Sequence, residues 1–426
     1  MDLVTCDSYF SRQAVHLAVH CPLIKYSACA AAAKQTGQTG AREPARTRLT
    51  AGQMRVADAI SETKLDYLWY GAKYYEKAIQ ALAREISQES LSSSPSAGLT
   101  TSPSAIYGAV VADAGREMQQ PAFPLVAACI LCQYEELSAT MRAWSGHLDG
   151  ICKLLQIDGK RDVEGGGVRR GPSQPRPYQS PAHQSVFWWF VLSDFKESLI
   201  SQRRTRVDTE DLPLWRSMGL RQQHADEQSA LRTLLHLSCK AVNHAHATAS
   251  NQLDRASHAA LSRALASWHA ARPPSFHPVS ALPRAAATCA LFSTETWYAS
   301  PTAAFATALY HTAQSVVLMS GPCWSDSEKG NSGGGPHSNL DLITAYHALQ
   351  RRRRRLARAV FAAVLGTAEG EWRVRMHMVQ PLFVAAGGAG GGGGGGWVEA
   401  GGGAGVGGGG RGEGGRVSGG VVGGWG

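Results

Sequence analysis

Val186–Leu220 reads VFWWFVLSDFKESLISQRRTRVDTEDLPLWRSMGL, and the remaining sequence falls into place around it. It starts as an apolar run, Val186–Leu192, then alternates with single polar residues through Asp194, Lys196 and Glu197 to Leu199 and Ile200. Apolar side chains keep returning to one helical face, and they are too crowded for water on every side, which predicts a buried helix. Arg203, Arg204 and Arg206 follow where a helix C-terminus favours positive charge. Asp208, Thr209 and Asp211 then offer side-chain oxygens suited to turns and caps, and Pro213 is expected to halt any continuing helix. Trp215 anchors a short segment ending at Gly219. Nothing in this unit has the form of a catalytic constellation.

Outward from it, 426 residues allow two or three domains or one large helical one. Positions 387–426 hold 25 of the 47 glycines, so this tail is expected to be disordered and the foldable part is 1–386. A hydrophobic content of 44% permits a sizeable core there. The formal charge is +9, but Arg351–Arg355 supply five of those charges and leave +4 elsewhere. The excess is therefore a local patch and not a generally basic nucleic-acid face. Nine scattered cysteines, an odd number without a secretory leader, predict reduced thiols in an intracellular compartment. The longest apolar runs, Phe123–Cys132 and Val186–Leu192, fall short of the ~20 residues a bilayer requires. The chain is read as soluble, with no membrane partner.

Helical periodicity recurs along the chain. Residues 13–33 read as one helix or two, with Pro22 able to start the second. From 53 to 86 the expected apolar face is Leu65, Leu68, Trp69, Ala72, Ile79, Leu82, Ala83 and Ile86. LVAACILCQYEEL is apolar enough to be central, and Gly146 and Gly150 are expected to interrupt its successor. Residues 226–249 and 252–271 form a helical pair, and prolines 273, 274, 278 and 283 punctuate the next connection. Helices at 303–319, 342–365 and 372–386 complete the body. Segments 34–50, 87–104, 158–182 and 321–339 are polar or rich in Gly, Pro and Ser and read as loops, the last three as flexible inserts. Long period-two strand patterns and fixed-length repeats are absent, so the prediction is a single all-α, multi-helix domain over 1–386.

Candidate chemistry is sparse. Cys129 and Cys132 make a CxxC inside an apolar helix, where cysteine packs as a small hydrophobe, and a zinc site needs a second pair. His16 and His20 stand four apart, but Leu17 takes the place of the HExxH glutamate. His147 and Asp149 are two apart on a helix and face different ways, against a Ser–His–Asp reading. Gly403–Gly408 spells GxGxxG without a strand before it or a helix after it. Catalytic, cofactor-binding and metal-binding residues are each expected to be none. The run Arg351, Arg352, Arg353, Arg354 and Arg355 carries two readings: a nuclear-import or phosphate-contacting patch, or a solvated helix face with some stems packed on the protein.

Several segments, in order, resemble the helical regulatory (middle homology) domain of fungal binuclear zinc-cluster transcription factors. CPLIKYSACAAAA resembles its opening Pro-Leu helix, and YYEKAIQALAREI its paired-tyrosine helix. FPLVAACILCQYEE followed by WSGHLDGICKLL resembles its leucine-rich helix and Trp-x-x-His-x-x-Gly segment, with Trp144, His147 and Gly150. VFWWFVLSDFKESLI followed by DTEDLPLW resembles its Phe-Trp helix, with an aspartate, and its Leu-Pro-x-Trp turn. VQPLFVAAG is similar to its closing element. These segments cover roughly residues 20–387.

The resemblance implies a nuclear regulatory domain, without catalysis, that controls RNA polymerase II transcription through a partner or small effector. It marks Trp144, His147, Trp188, Trp189, Asp194, Pro213 and Trp215 as fold-critical. It implies partners in the transcription machinery or among other regulators, with a homodimer left open. The family's zinc ions bind a six-cysteine DNA-reading module. Cys6, Cys21 and Cys29 lack its spacing, so no cofactor is expected here and DNA contact is expected only through a module this chain lacks. The competing classes are a helical interaction scaffold outside transcription and an all-α enzyme; the latter lacks a DDxxD-like magnesium motif, Asp208, Glu210 and Asp211 coming nearest.

Overall fold

A computed structural model describes residues 1–5, 8–40, 65–92, 123–138, 140–164, 181–221, 226–247, 255–284, 292–320, 338–368 and 371–389. Among these the protein is all-α apart from one hairpin, with thirteen α-helices. They are α1 (Tyr9–His20), α2 (Pro22–Gly40), α3 (Tyr67–Ser92), α4 (Phe123–Ser138), α5 (Met141–Glu164), α6 (Pro181–Ser201) and α7 (Leu212–Ser217). After α8 (Glu227–Ala245) and α9 (Arg255–Ala270) comes a 3-10 turn, Pro274–Phe276. The antiparallel strands β1 (Pro278–Pro283) and β2 (Thr294–Tyr298) follow it. Then come α10 (Pro301–Met319), α11 (Ser338–Leu365), α12 (Trp372–His377) and α13 (Val379–Ala389).

Helix α6 is the hub. Every residue from Ser185 to Ser198 is buried, including Asp194, Lys196 and Glu197. It packs against α1, α4, α5, α8 and α13, so one hydrophobic core joins both halves of the chain. A helix covered all round needs apolar residues on every face, and the run from Val186 to Phe195 supplies them. Helix α10, with Phe305, Leu309, Ala313 and Val316 buried, plays the same role between α8 and α11.

Several expectations shift. Pro213 does not stop a helix: it sits, exposed, in the first turn of α7, where its missing N–H costs nothing. Gly146 and Gly150 lie inside an unbroken α5. The stripe predicted for 65–86 is only partly the buried one. Leu68, Trp69, Ala72, Ala83 and Ile86 are exposed, while Ala78 and Leu82 are buried and Gly71 meets α2 closely enough that a Cβ would lie 3.2 Å from the Lys34 amide nitrogen. Helical structure extends into the expected loops, through 34–40, 87–92, 158–164, 181–182 and 338–339, and α13 runs to Ala389. The remainders of those loops and of the glycine-rich tail lie outside the described residues. The proline-punctuated connection contains the hairpin, whose strands are too short and too exposed to alternate visibly in sequence.

Candidate functional site

Beyond α6 the chain turns back on itself. Gln202 adopts a left-handed conformation (φ 51°), and Arg203 and Arg206 then return to the carboxylates of α6 instead of lying along its axis. The Arg206 guanidinium donates to Asp194 (Nη1 to Oδ1, 2.8 Å), Glu197 (Nη1 to Oε2, 2.9 Å), Asp149 of α5 (Nε to Oδ1, 2.5 Å) and the Ser145 hydroxyl (2.9 Å). Asp194 also accepts from the backbone N–H of Arg206, at 2.7 Å, and of Val207. Glu197 accepts from Arg203 at 2.6 Å and from the Ser201 hydroxyl at 2.6 Å.

Burial raises the Asp194 carboxyl above its ordinary range, and the hydrogen bonds from Arg206 only partly offset that. Burial acts the same way on Glu197, but donors from Arg203, Ser201 and Arg206 outweigh it and leave its titration lowered. Arg206 is held firmly protonated against its own desolvation by Asp149, Asp194 and Glu197. Two buried carboxylates around one guanidinium make sense only as a mutually satisfied cluster.

Another buried charge, between these two carboxylates in sequence, belongs to a separate cluster. Lys196, 1% exposed, pairs with Glu136 of α4, approaches His377 Nδ1 of α12 at 3.3 Å and lies 5.9 Å from the centre of the Trp144 ring. Burial and then the Lys196 charge hold His377 well below the usual imidazole range, so it is neutral at pH 7.

The predicted tryptophans divide into two kinds. Trp188 donates its indole N–H to the Met218 carbonyl (2.7 Å) and Trp215 to that of Asp208 (2.8 Å), and their rings meet edge to face. His236 lies against Trp215 and donates to the Thr209 carbonyl at 3.0 Å. Trp144 and Trp189 are equally buried, yet among the described residues their indole nitrogens have no hydrogen-bond partner. His147 is half-buried, 2.8 Å from the Tyr75 hydroxyl, and desolvation lowers its titration. The short helix carrying Trp215 ends in paired bonds, Gly219 N–H to Arg216 and Leu220 N–H to Trp215, with Gly219 left-handed (φ 87°).

Cys129 and Cys132 are fully buried in α4, and desolvation keeps both thiols protonated, as core residues. Among the described residues no group of three or more His, Cys, Asp or Glu could hold a metal ion, and no helix is long and apolar enough to cross a membrane. In the arginine run of α11, Arg351, Arg352, Arg354 and Arg355 are exposed, while Arg353 leans inward to donate to the Gly387 carbonyl at 3.1 Å. Leu356 and Val360 are buried behind them. Helical geometry thus makes the run both a solvated face and, at one position, a tie to α13.

One feature escaped sequence reading. A cavity of about 200 Å³ lies where α9, the 3-10 turn, the hairpin and α10 converge, lined by residues including Trp268, His269, Arg272, Tyr298 and Tyr310. The aromatic spacing along α9 and α10 is visible in sequence, but it reads as core.

Over nearly its whole length the chain resembles a fungal transcription activator. The relative is Transcription activator AMTR1 of Alternaria alternata, 25% identical over 453 aligned positions that cover 90% of this chain and 56% of the relative. The chain therefore spans about half the length of that relative. No family model matches the chain, and no solved structure matches it.

Proposed function

We propose that this chain is the helical regulatory region of a zinc-cluster-type fungal transcription regulator. It works in the nucleus, has no catalytic activity, and acts by binding a partner or small effector that alters an attached or associated DNA-binding unit. The observation that carries this reading is the likeness to a transcription activator along 90% of the chain. The packing around α6 is consistent with it, because a ligand that favours one helix arrangement over another is felt on both sides of a shared core. The segments similar to the middle homology domain support the finer family assignment.

The test fuses the full chain to an unrelated sequence-specific DNA-binding module upstream of a reporter in fungal cells. A several-fold change in reporter output, relative to the module alone, is expected. An unchanged reporter with a stably expressed fusion overturns the reading. So does tight sequence-specific DNA binding by the chain on its own, measured against salt.

A further inference from the structure

We propose that the cavity between α9, the hairpin and α10 is a binding site for a small planar aromatic carboxylate, held by Arg272 against the rings of Trp268, Phe276, Tyr298 and Tyr310. Size comes first. An apolar cavity of about 150 Å³ suffices for benzene, so about 200 Å³ suits one ring with a small substituent.

One wall is a stack of rings. Tyr310 stacks on His269 with ring centres 4.5 Å apart and planes 17° apart, and on Trp268 at 5.6 Å and 30°. Trp268 is fixed by its N–H bond to the Ala230 carbonyl, 2.8 Å, so the stack is held in place. Phe276, 1% exposed, closes the end near the 3-10 turn. An aromatic ring in the cavity gains edge-to-face contact with such a wall.

The charge selects the substituent. Arg272 is the one permanent cation among the residues that line the cavity, and no carboxylate lines it. Its guanidinium donates to the His269 carbonyl and approaches His277 Nδ1 at 3.3 Å, which orients the fork while leaving donors over. The two histidines of the lining stay neutral at pH 7, because desolvation lowers both, His311 to about 4. Burial also keeps the Tyr298 and Tyr310 hydroxyls protonated, and Tyr310 accepts from Gln314 at 2.8 Å, so its own proton can be donated. One cation with planar donors matches a carboxylate; a phosphate dianion in this apolar setting would be left half neutralised.

The inference goes beyond the regulatory reading and stands on the cavity alone, so it is tested without a reporter. The full chain is titrated with sodium benzoate by calorimetry, with benzamide as the neutral isostere and inorganic phosphate as competitor. Saturable benzoate binding is expected, with benzamide weaker by at least about tenfold and phosphate unable to displace benzoate. R272Q should weaken benzoate by at least about tenfold and leave benzamide unchanged; R272K, which keeps the charge without the fork, should weaken it less. Thermal unfolding of both variants checks that the fold is retained. Absence of benzoate binding, benzamide binding as tightly, displacement by phosphate, or parental affinity in both variants overturns the assignment.

Discussion

Arg206 reaches back twelve residues to hold Asp194 at 2.8 Å, and the same guanidinium nitrogen lies 2.9 Å from Glu197. Both carboxylates are 1% exposed. The turn that leads to Trp215 is therefore tied to the buried helix α6 by charge, not by apolar contact alone. Arg206→Met keeps the aliphatic bulk and strands the buried Asp194 carboxylate without a cation, while Glu197 keeps Arg203 and Ser201. It is expected to destabilise the protein by about 3–5 kcal/mol in urea unfolding. A loss under about 1 kcal/mol would mean that the cluster is already wet in solution.

The four core tryptophans should respond unequally to phenylalanine. W188F and W215F each remove a donor and leave the Met218 or Asp208 carbonyl without it. W144F and W189F remove N–H groups that have no described partner. We expect the first pair to lose about 1–2 kcal/mol more than the second. Equal losses across all four would contradict the pairing.

Glycine replacements separate open from closed backbone. A Cβ on Gly150 meets nothing within 4 Å, so G150A should stabilise α5, by about 0.5–1 kcal/mol. A Cβ on Gly366 would fall 1.9 Å from the Thr296 carbonyl of β2, a backbone atom that cannot swing aside. G366A should cost at least about 1–3 kcal/mol. Chemical denaturation of the two variants side by side reads both signs at once.

Burial lowers the titration of His147, His236, His311 and His377, the last well below the usual range. In the folded protein they stay neutral, whereas the unfolded chain takes up protons near pH 6.5. Their contribution is whole above about pH 6.5 and is lost as pH falls towards each folded value, about 4 for His311. Each contributes up to about 1.4 kcal/mol per pH unit within its window. Urea midpoints should drop clearly from pH 7.5 to pH 5.5. A flat profile would show that these imidazoles remain hydrated.

The exposed arginines of α11 offer a separable test of localisation. Substituting Arg351, Arg352, Arg354 and Arg355 with glutamine spares Arg353 and its bond to Gly387, so the fold should tolerate the change. A fluorescently tagged chain is expected to be nuclear, and the variant to shift towards the cytosol. Unchanged nuclear accumulation would remove the run as the address.

Local pattern alone carried the helical class and the centrality of Val186–Leu192 and of LVAACILCQYEEL. Those rest on a 3.6-residue period that each segment displays without reference to the others. The same locality explains the misses. A mid-helix glycine or an exposed proline looks like a break when read along the chain, and the partly misplaced stripe of α3 became legible only beside α2. The tertiary structure alone joined Arg206 to Asp149, Lys196 to His377 and Arg272 to the rings of α10, across separations of up to 181 residues. Buried charge is stable only where its partners converge, and convergence is a property of packed helices, not of spacing along a chain.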